Sequence, residues 1–294
     1  MKKTVLITLL CVTALTPLLP QDKPAYRLFS GNGDRALYTD LLVRAQNADI
    51  VFFGELHNNP IAHWLELELI KDLYIAGHKM ILGAEMMESD NQLSIDEYLA
   101  GLITDSRFEE EARLWPNYKT DYRPLLQFAR DNKYPFIATN VPRRYASMVF
   151  KNGFEALQEL PVQARQYIAP LPIPFDSNLK SYREITEKLG GSDPTHIAVH
   201  TKGYLAEAQA LKDATMAWFI GKNLRKGQTF IHFNGSYHSN YNEGIIWYLK
   251  KNHGDLSITT INTVTQGSLD MLEEQYRGTA DIIIVVHASM TSSH

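Results

Sequence analysis

Two Gly-x-x-His motifs, Gly54 to His57 and Gly235 to His238, each follow a short apolar run and are the chain's most suggestive chemistry. Imidazole at such a place serves as a general base, a metal ligand or a partner to a ligand carboxylate. Glu55 lies inside the first motif and Glu85 follows another apolar run, adding two carboxylates. Glu55, His57, Glu85 and His238 are therefore the candidate catalytic set, and equally a candidate divalent-metal set. Glycine ahead of each histidine lets the chain turn sharply or approach another backbone closely.

Further polar groups join this set. Asn140 and Arg143 follow a third apolar run, and the planar fork of Arg143 suits a carboxylate or phosphate, whereas Arg144 reads as a surface ion pair. Gln209 and Asp213, spaced i, i+4, share one helix face and either orient a histidine from behind or cap that face with polarity. Trp115, Tyr118 and Tyr122 fall at i, i+3, i+7, the spacing of a core-packing aromatic face. His63 and Glu66 sit inside an amphipathic helix, where a solvated face is expected. No HExxH, P-loop, G-x-S-x-G or GxGxxG motif occurs, so the common zinc-protease, nucleotide-binding and serine-hydrolase signatures are missing.

The elements that must position these residues alternate between strand and helix. Short apolar runs at 50–53, 80–82, 136–139 and 229–233 predict buried strands, and β-rich runs at 257–263 and 281–287 close the chain. Helical spacing covers 36–45, 60–76, 92–113, 124–132, 202–224 and 241–251, with Pro60 opening one helix and Gly77 just past its end. The stretch 142–190, helical but broken by LPIPF at 171–175, reads as an insertion or lid, reaching to about residue 200. This order predicts a three-layer α/β fold with a mostly parallel central sheet and helices on both faces, in a single domain over 22–294. Ligands of such sheets bind outside the carboxyl ends of the strands, where all four polar groups would converge.

Composition agrees with a folded core: of 294 residues 45% are hydrophobic and 21% charged, with a net charge of -4 and no basic stripe. Nucleic acid is excluded as a partner on that ground. Lys2 and Lys3 precede an apolar run cut by Pro17 and Pro20, the pattern of a secretory signal over residues 1–21 and hence of an exported protein. Cys11, the single cysteine, lies in that segment; it is a lipidation candidate, although Leu10 stands where a lipobox has a small residue.

FGELHNN (53–59), GAEMMESDNQ (83–92), WPNYKTDYRPLLQFAR (115–130), ATNVPRR (138–144), AEAQALKDATMAWFI (206–220) and NGSYH (234–238) occur in that order. With them the chain resembles the ChaN-like haem-binding lipoproteins of the haem-binding uptake/Tiki superfamily over residues 50–264. The resemblance implies an α/β fold, haem as cofactor, and a role in haem or iron acquisition in the periplasm or at the outer membrane, with an outer-membrane haem-uptake receptor and a homodimer as partners. It implies tyrosine ligation of haem, a known mode for ferric iron, for which Tyr118 and Tyr122 are the candidates; Asn140, Arg143, Gln209 and Asp213 would line the ligand. The same superfamily holds Tiki proteases and erythromycin-esterase-like hydrolases, so a hydrolase using Glu55, His57, Glu85 and His238 is the alternative.

Overall fold

The computed structural model describes residues 23–189 and 199–293, so the expected signal segment with Cys11 and the far end of the expected insertion lie outside the described residues. The chain runs β1 (Tyr26–Ser30), β2 (Arg35–Ala36), α1 (Tyr38–Gln46), β3 (Ile50–Glu55), α2 (Pro60–Ile75), β4 (Met80–Glu88), α3 (Gln92–Leu99), α4 (Asp105–Glu111), α5 (Arg123–Asp131) and β5 (Phe136–Asn140). There follow α6 (Arg143–Asn152), α7 (Val162–Arg165), α8 (Lys180–Leu189), α9 (Val199–Asn223), β6 (Thr229–Gly235), α10 (Ile245–Asn252), β7 (Ile258–Gln266) and β8 (Ile282–His287). The strands form one sheet in the order β2-β1-β8-β7-β3-β6-β4-β5. From β8 to β5 every pairing is parallel; β1 is antiparallel to both β8 and β2. The predicted three-layer α/β architecture is the one observed.

Parallel strands covered on both faces must be apolar on both, and β3 and β4 are buried along their whole length. Successive side chains of β3 show the division: Phe53 packs into the layer formed with α2 and α5, Phe52 into the layer formed with α6, α9 and α10. The chain passes from β3 through α2 to β4 but leaves a gap between them, which β6 later fills; β7 then takes the other side of β3. The connections leaving the neighbours β3 and β6 run in opposite senses, β3 to β4 and β6 to β7, and open a crevice at their carboxyl ends, where a doubly wound sheet binds its ligand.

Several boundaries differ from the sequence expectation. The second strand runs nine residues, Met80–Glu88, rather than three, because its polar residues pair across the sheet edge and do not end it. The predicted helix over 92–113 breaks into α3 and α4 at Gly101, whose φ of +72° no helix accommodates. The helix expected from residue 241 starts at Ile245, since Tyr241 and Asn242 adopt positive φ. β1 was not expected: only two of its five residues, Leu28 and Phe29, are buried, too short an apolar run to stand out. In the expected insertion, α6 packs on α9 against β5 as part of the second helical layer.

Candidate functional site

Strands β3, β4, β5 and β6 all deliver polar groups to one edge. Parallel pairing sets Gly54 opposite Asn234 and Glu55 opposite Gly235, so the two Gly-x-x-His segments leave the sheet side by side. Gly54 is required by close approach: a Cβ there would stand 2.7 Å from the Ile261 carbonyl oxygen and 3.2 Å from Ser236 Cα. Gly235 makes room for a side chain, since a Cβ on it would lie 2.7 Å from His57 Nε2 and 3.4 Å from Glu85 Oε2. Both glycines thus act through lack of bulk; neither has positive φ. The next turn is fixed by Asn59, whose Oδ1 accepts from the Ile61 and Ala62 amides, each at 3.1 Å, with Pro60 opening α2.

Two histidine–carboxylate assemblies result. In the first, His57 Nδ1 lies 2.6 Å from Glu55 Oε1, which also accepts from the Tyr122 hydroxyl at 2.8 Å. In the second, His238 is held between two buried carboxylates, Asp213 Oδ1 2.5 Å from Nδ1 and Glu85 Oε1 3.0 Å from Nε2. Gln209 lies against the same ring, and the other Glu85 oxygen accepts from the Gly235 amide at 2.8 Å. Asn140 donates to the Glu85 carbonyl at 2.9 Å, fixing the backbone where β4 leaves β6. Gln209 and Asp213, one turn apart on α9, therefore both reach His238.

Electrostatics differ between the two histidines. Burial works against a charged His238, but Glu85 and Asp213 outweigh it and lift its pKa to about 9, so it is an imidazolium at neutral pH. Burial would raise Glu85, yet the charge of His238 and its hydrogen bond hold it far below the usual carboxylate range. Asp213 stays above its ordinary value because burial and the nearby Glu85 exceed the pull of His238. Both ring nitrogens of His238 are occupied. His57 is also raised, against burial, by Glu55 and Glu85, but its Nε2 has no hydrogen-bond partner among the described residues.

His57, Glu85, Asn140, Arg143, Gln209 and His238 line a cleft of about 570 Å³. The sequence reading did not single out Trp115 as a cleft wall or name Tyr237 and Lys212, all of which line it. Tyr237 was recoverable, because it sits between Gly235 and His238 in NGSYH and must be at the strand end. Lys212, between Gln209 and Asp213 on α9, has no ion-pair partner among the described residues. Arg143 pairs with Glu88, and Arg144 with Asp90, as a surface ion pair.

Three expectations are corrected. Tyr118 and Tyr122 are buried and do not line the cleft: Tyr118 packs against Phe108, and the Tyr122 hydroxyl is committed to Glu55. Glu55, His57, Glu85 and His238 do not gather as four ligands of one ion; they divide into the pairs just described. Glu55 instead meets His63 and Glu66, which are buried rather than solvated, because the start of α2 is pressed onto the sheet edge by the Asn59 cap. Among the described residues these three are the one group whose histidine and carboxylate ligand atoms all lie within 4.8 Å of one another. Glu66 is raised well above its usual range by burial and by the charge of Glu55, while His63, despite burial, is lifted to about 11 by the two carboxylates.

A doubly wound α/β protein with a histidine–carboxylate cleft at its strand ends is thus defined. The chain belongs to the family described as haem-binding uptake, Tiki superfamily, ChaN, which matches residues 41–249. Its fold is similar to that of ChaN of Campylobacter jejuni, solved with cofacial haem, at a TM-score of 0.67 and 15% identity over 89% of this chain and 96% of that one. A succinoglycan biosynthesis protein gives a TM-score of 0.50 at 12% identity, over 84% of this chain and 90% of that one. Protein RETICULATA-RELATED 5, chloroplastic, of Arabidopsis thaliana is 26% identical over 190 residues, 62% of this chain. The chain spans about a quarter of the length of that curated relative, 25%.

Proposed function

We propose that the protein binds haem in the strand-end cleft and serves haem or iron acquisition at the cell envelope. The observation that carries this reading is the Nε2 of His57 on the wall of the cleft, without a hydrogen-bond partner among the described residues. Its Nδ1 is held by Glu55, the arrangement that fixes the tautomer and orientation of an iron-ligating imidazole. Haem also needs an apolar wall for its macrocycle and cations for its two propionates. Trp115, which packs edge-on to His57 with ring centres 4.8 Å apart, supplies part of the first together with Val141 and Ile185. Lys212 supplies the second, and Arg143 adds to it from its ion pair with Glu88. Family membership and the haem of the Campylobacter jejuni relative support the same reading. Export through the signal at residues 1–21, receptor delivery and a homodimer belong to this proposal. Among the described residues no helix is long and apolar enough to cross a membrane.

Titration with ferric haem tests it. Wild-type protein at micromolar concentration is expected to shift the Soret band, His57→Ala to weaken binding and change the spectrum, and Lys212→Ala to weaken binding about tenfold without changing the spectrum. No Soret shift with wild type overturns the haem reading, and an unchanged His57→Ala titration overturns the role of that imidazole.

A second reading rests on the same nitrogen. With Nδ1 on a buried carboxylate, His57 is oriented to take a proton from a water in the cleft, the geometry of a hydrolytic general base. Turnover of peptides or esters by wild type that vanishes in Glu55→Ala and His238→Ala would favour a hydrolase, and inert wild type would count against it.

A further inference from the structure

Glu55, His63 and Glu66 form a buried cluster of which the haem reading uses only the Glu55 oxygen that holds His57. We propose that this site holds one divalent transition-metal cation, coordinated by Glu55, His63 Nδ1 and Glu66. His63 Nδ1 lies 3.2 Å from Glu55 Oε2 and 3.2 Å from Glu66 Oε2. Donors around a metal with bonds of ~2.1 Å stand about 3.0 Å apart at a right angle and about 3.4 Å apart at the tetrahedral angle. The observed spacing falls between these limits. It is long for charge-assisted hydrogen bonds, which run ~2.7–2.9 Å.

Orphaned atoms point the same way. Glu55 Oε2 and Glu66 Oε1 are fully buried oxygens without hydrogen-bond partners among the described residues, though buried carboxylates normally satisfy both oxygens. The other face of His63 has what a ligating imidazole needs. Its Nε2 lies 3.1 Å from the His57 carbonyl oxygen, which accepts its proton and directs Nδ1 at the two carboxylates. Asn117 braces that carbonyl from the side, donating to it at 3.0 Å and to Asp121 at 2.7 Å. With no metal bound, Nδ1 holds a proton between the two carboxylates, and a dication would take the place of that proton. Two carboxylates, one neutral imidazole and one dication sum to zero charge, which removes the burial penalty of the group. An N/O donor set of this kind suits zinc, manganese or ferrous iron rather than a thiolate-seeking ion.

The site stands independently of haem binding, although Glu55 is common to both: one oxygen faces His63 and the other holds His57. Metal analysis of the full chain purified without haem, before and after addition of zinc, gives the test. One equivalent is expected in wild type and in Glu85→Gln, with a higher thermal midpoint in the loaded protein, and less than a tenth of an equivalent in His63→Gln and Glu66→Gln. Wild type that takes up no zinc, or folded His63→Gln and Glu66→Gln variants that bind it as wild type does, would overturn the site. Should those variants not fold, anomalous diffraction from zinc-loaded wild-type crystals decides: a peak between Glu55, His63 and Glu66 supports the site, and its absence there refutes it.

Discussion

Replacing Glu85 by glutamine keeps the shape of the side chain and an acceptor for the Gly235 amide but removes one of the two charges that hold His238 protonated. The variant has two ways to respond. It can keep the imidazolium with Asp213 as sole counter-charge, for which breaking a buried ion pair costs about 3–5 kcal/mol. Alternatively His238 gives up its proton; discharging a group of pKa about 9 at pH 7 costs about 3 kcal/mol, two pH units at ~1.36 kcal/mol each. The cheaper route limits the loss to about 3 kcal/mol at pH 7. Because the folded-state pKa of His238 is raised above its ordinary value of 6.5, its contribution is complete below pH 6.5 and disappears as the pH rises through about 9. The deficit of Glu85→Gln against wild type should therefore shrink to under about 1 kcal/mol at pH 9.5. Urea unfolding of both proteins at pH 7.0 and 9.5 measures it. A penalty of the same size at both pH values would show that Glu85 stabilises through packing and the Gly235 amide, and that His238 is not an imidazolium.

Other substitutions separate positioning from stability. Gly54→Ala places a methyl 2.7 Å from the Ile261 carbonyl oxygen, a backbone atom that cannot swing aside, and should cost about 3 kcal/mol by urea unfolding. Gly235→Ala instead meets the partly exposed His57 ring; it should cost under about 1 kcal/mol yet weaken haem binding at least tenfold, and an unchanged haem titration would refute the placement of His57 over Gly235. Tyr122→Phe removes a donor from the buried Glu55 carboxylate and should destabilise by about 2 kcal/mol, read as a fall in the urea midpoint at pH 7.

The strand-end chemistry was legible because parallel strands announce themselves. Apolar runs such as Ile50–Glu55 and Thr229–Gly235 have both faces buried, so the polar residue that ends each run is conspicuous and its direction follows from the topology. Gln209 and Asp213 could be linked to a histidine by helical period alone, though not to His238 in particular, which α9 reaches only by lying across β5 and against α6. For Tyr118 and Tyr122 the helical spacing pointed to the core, where both lie, whereas the family resemblance pointed to a ligand, and the Tyr122 hydroxyl serves Glu55 instead. A single turn of π-helix at Tyr118–Tyr122 turns both inward.

By itself, the amino-acid sequence determined the alternation of strand and helix, the edge at which the polar groups gather and the two glycines of the Gly-x-x-His motifs, because periodicity and side-chain volume are local properties. Only the tertiary structure decided which carboxylate meets which histidine. Glu55 is two residues from His57 and eight from His63 in sequence, yet its two oxygens are divided between them. Glu85 reaches past the end of β6 to a histidine more than 150 residues away. A charged group on an amphipathic helix is ordinarily solvated, and the burial of His63 and Glu66 arises from the angle at which α2 leaves β3, a long-range consequence of packing that no local pattern encodes.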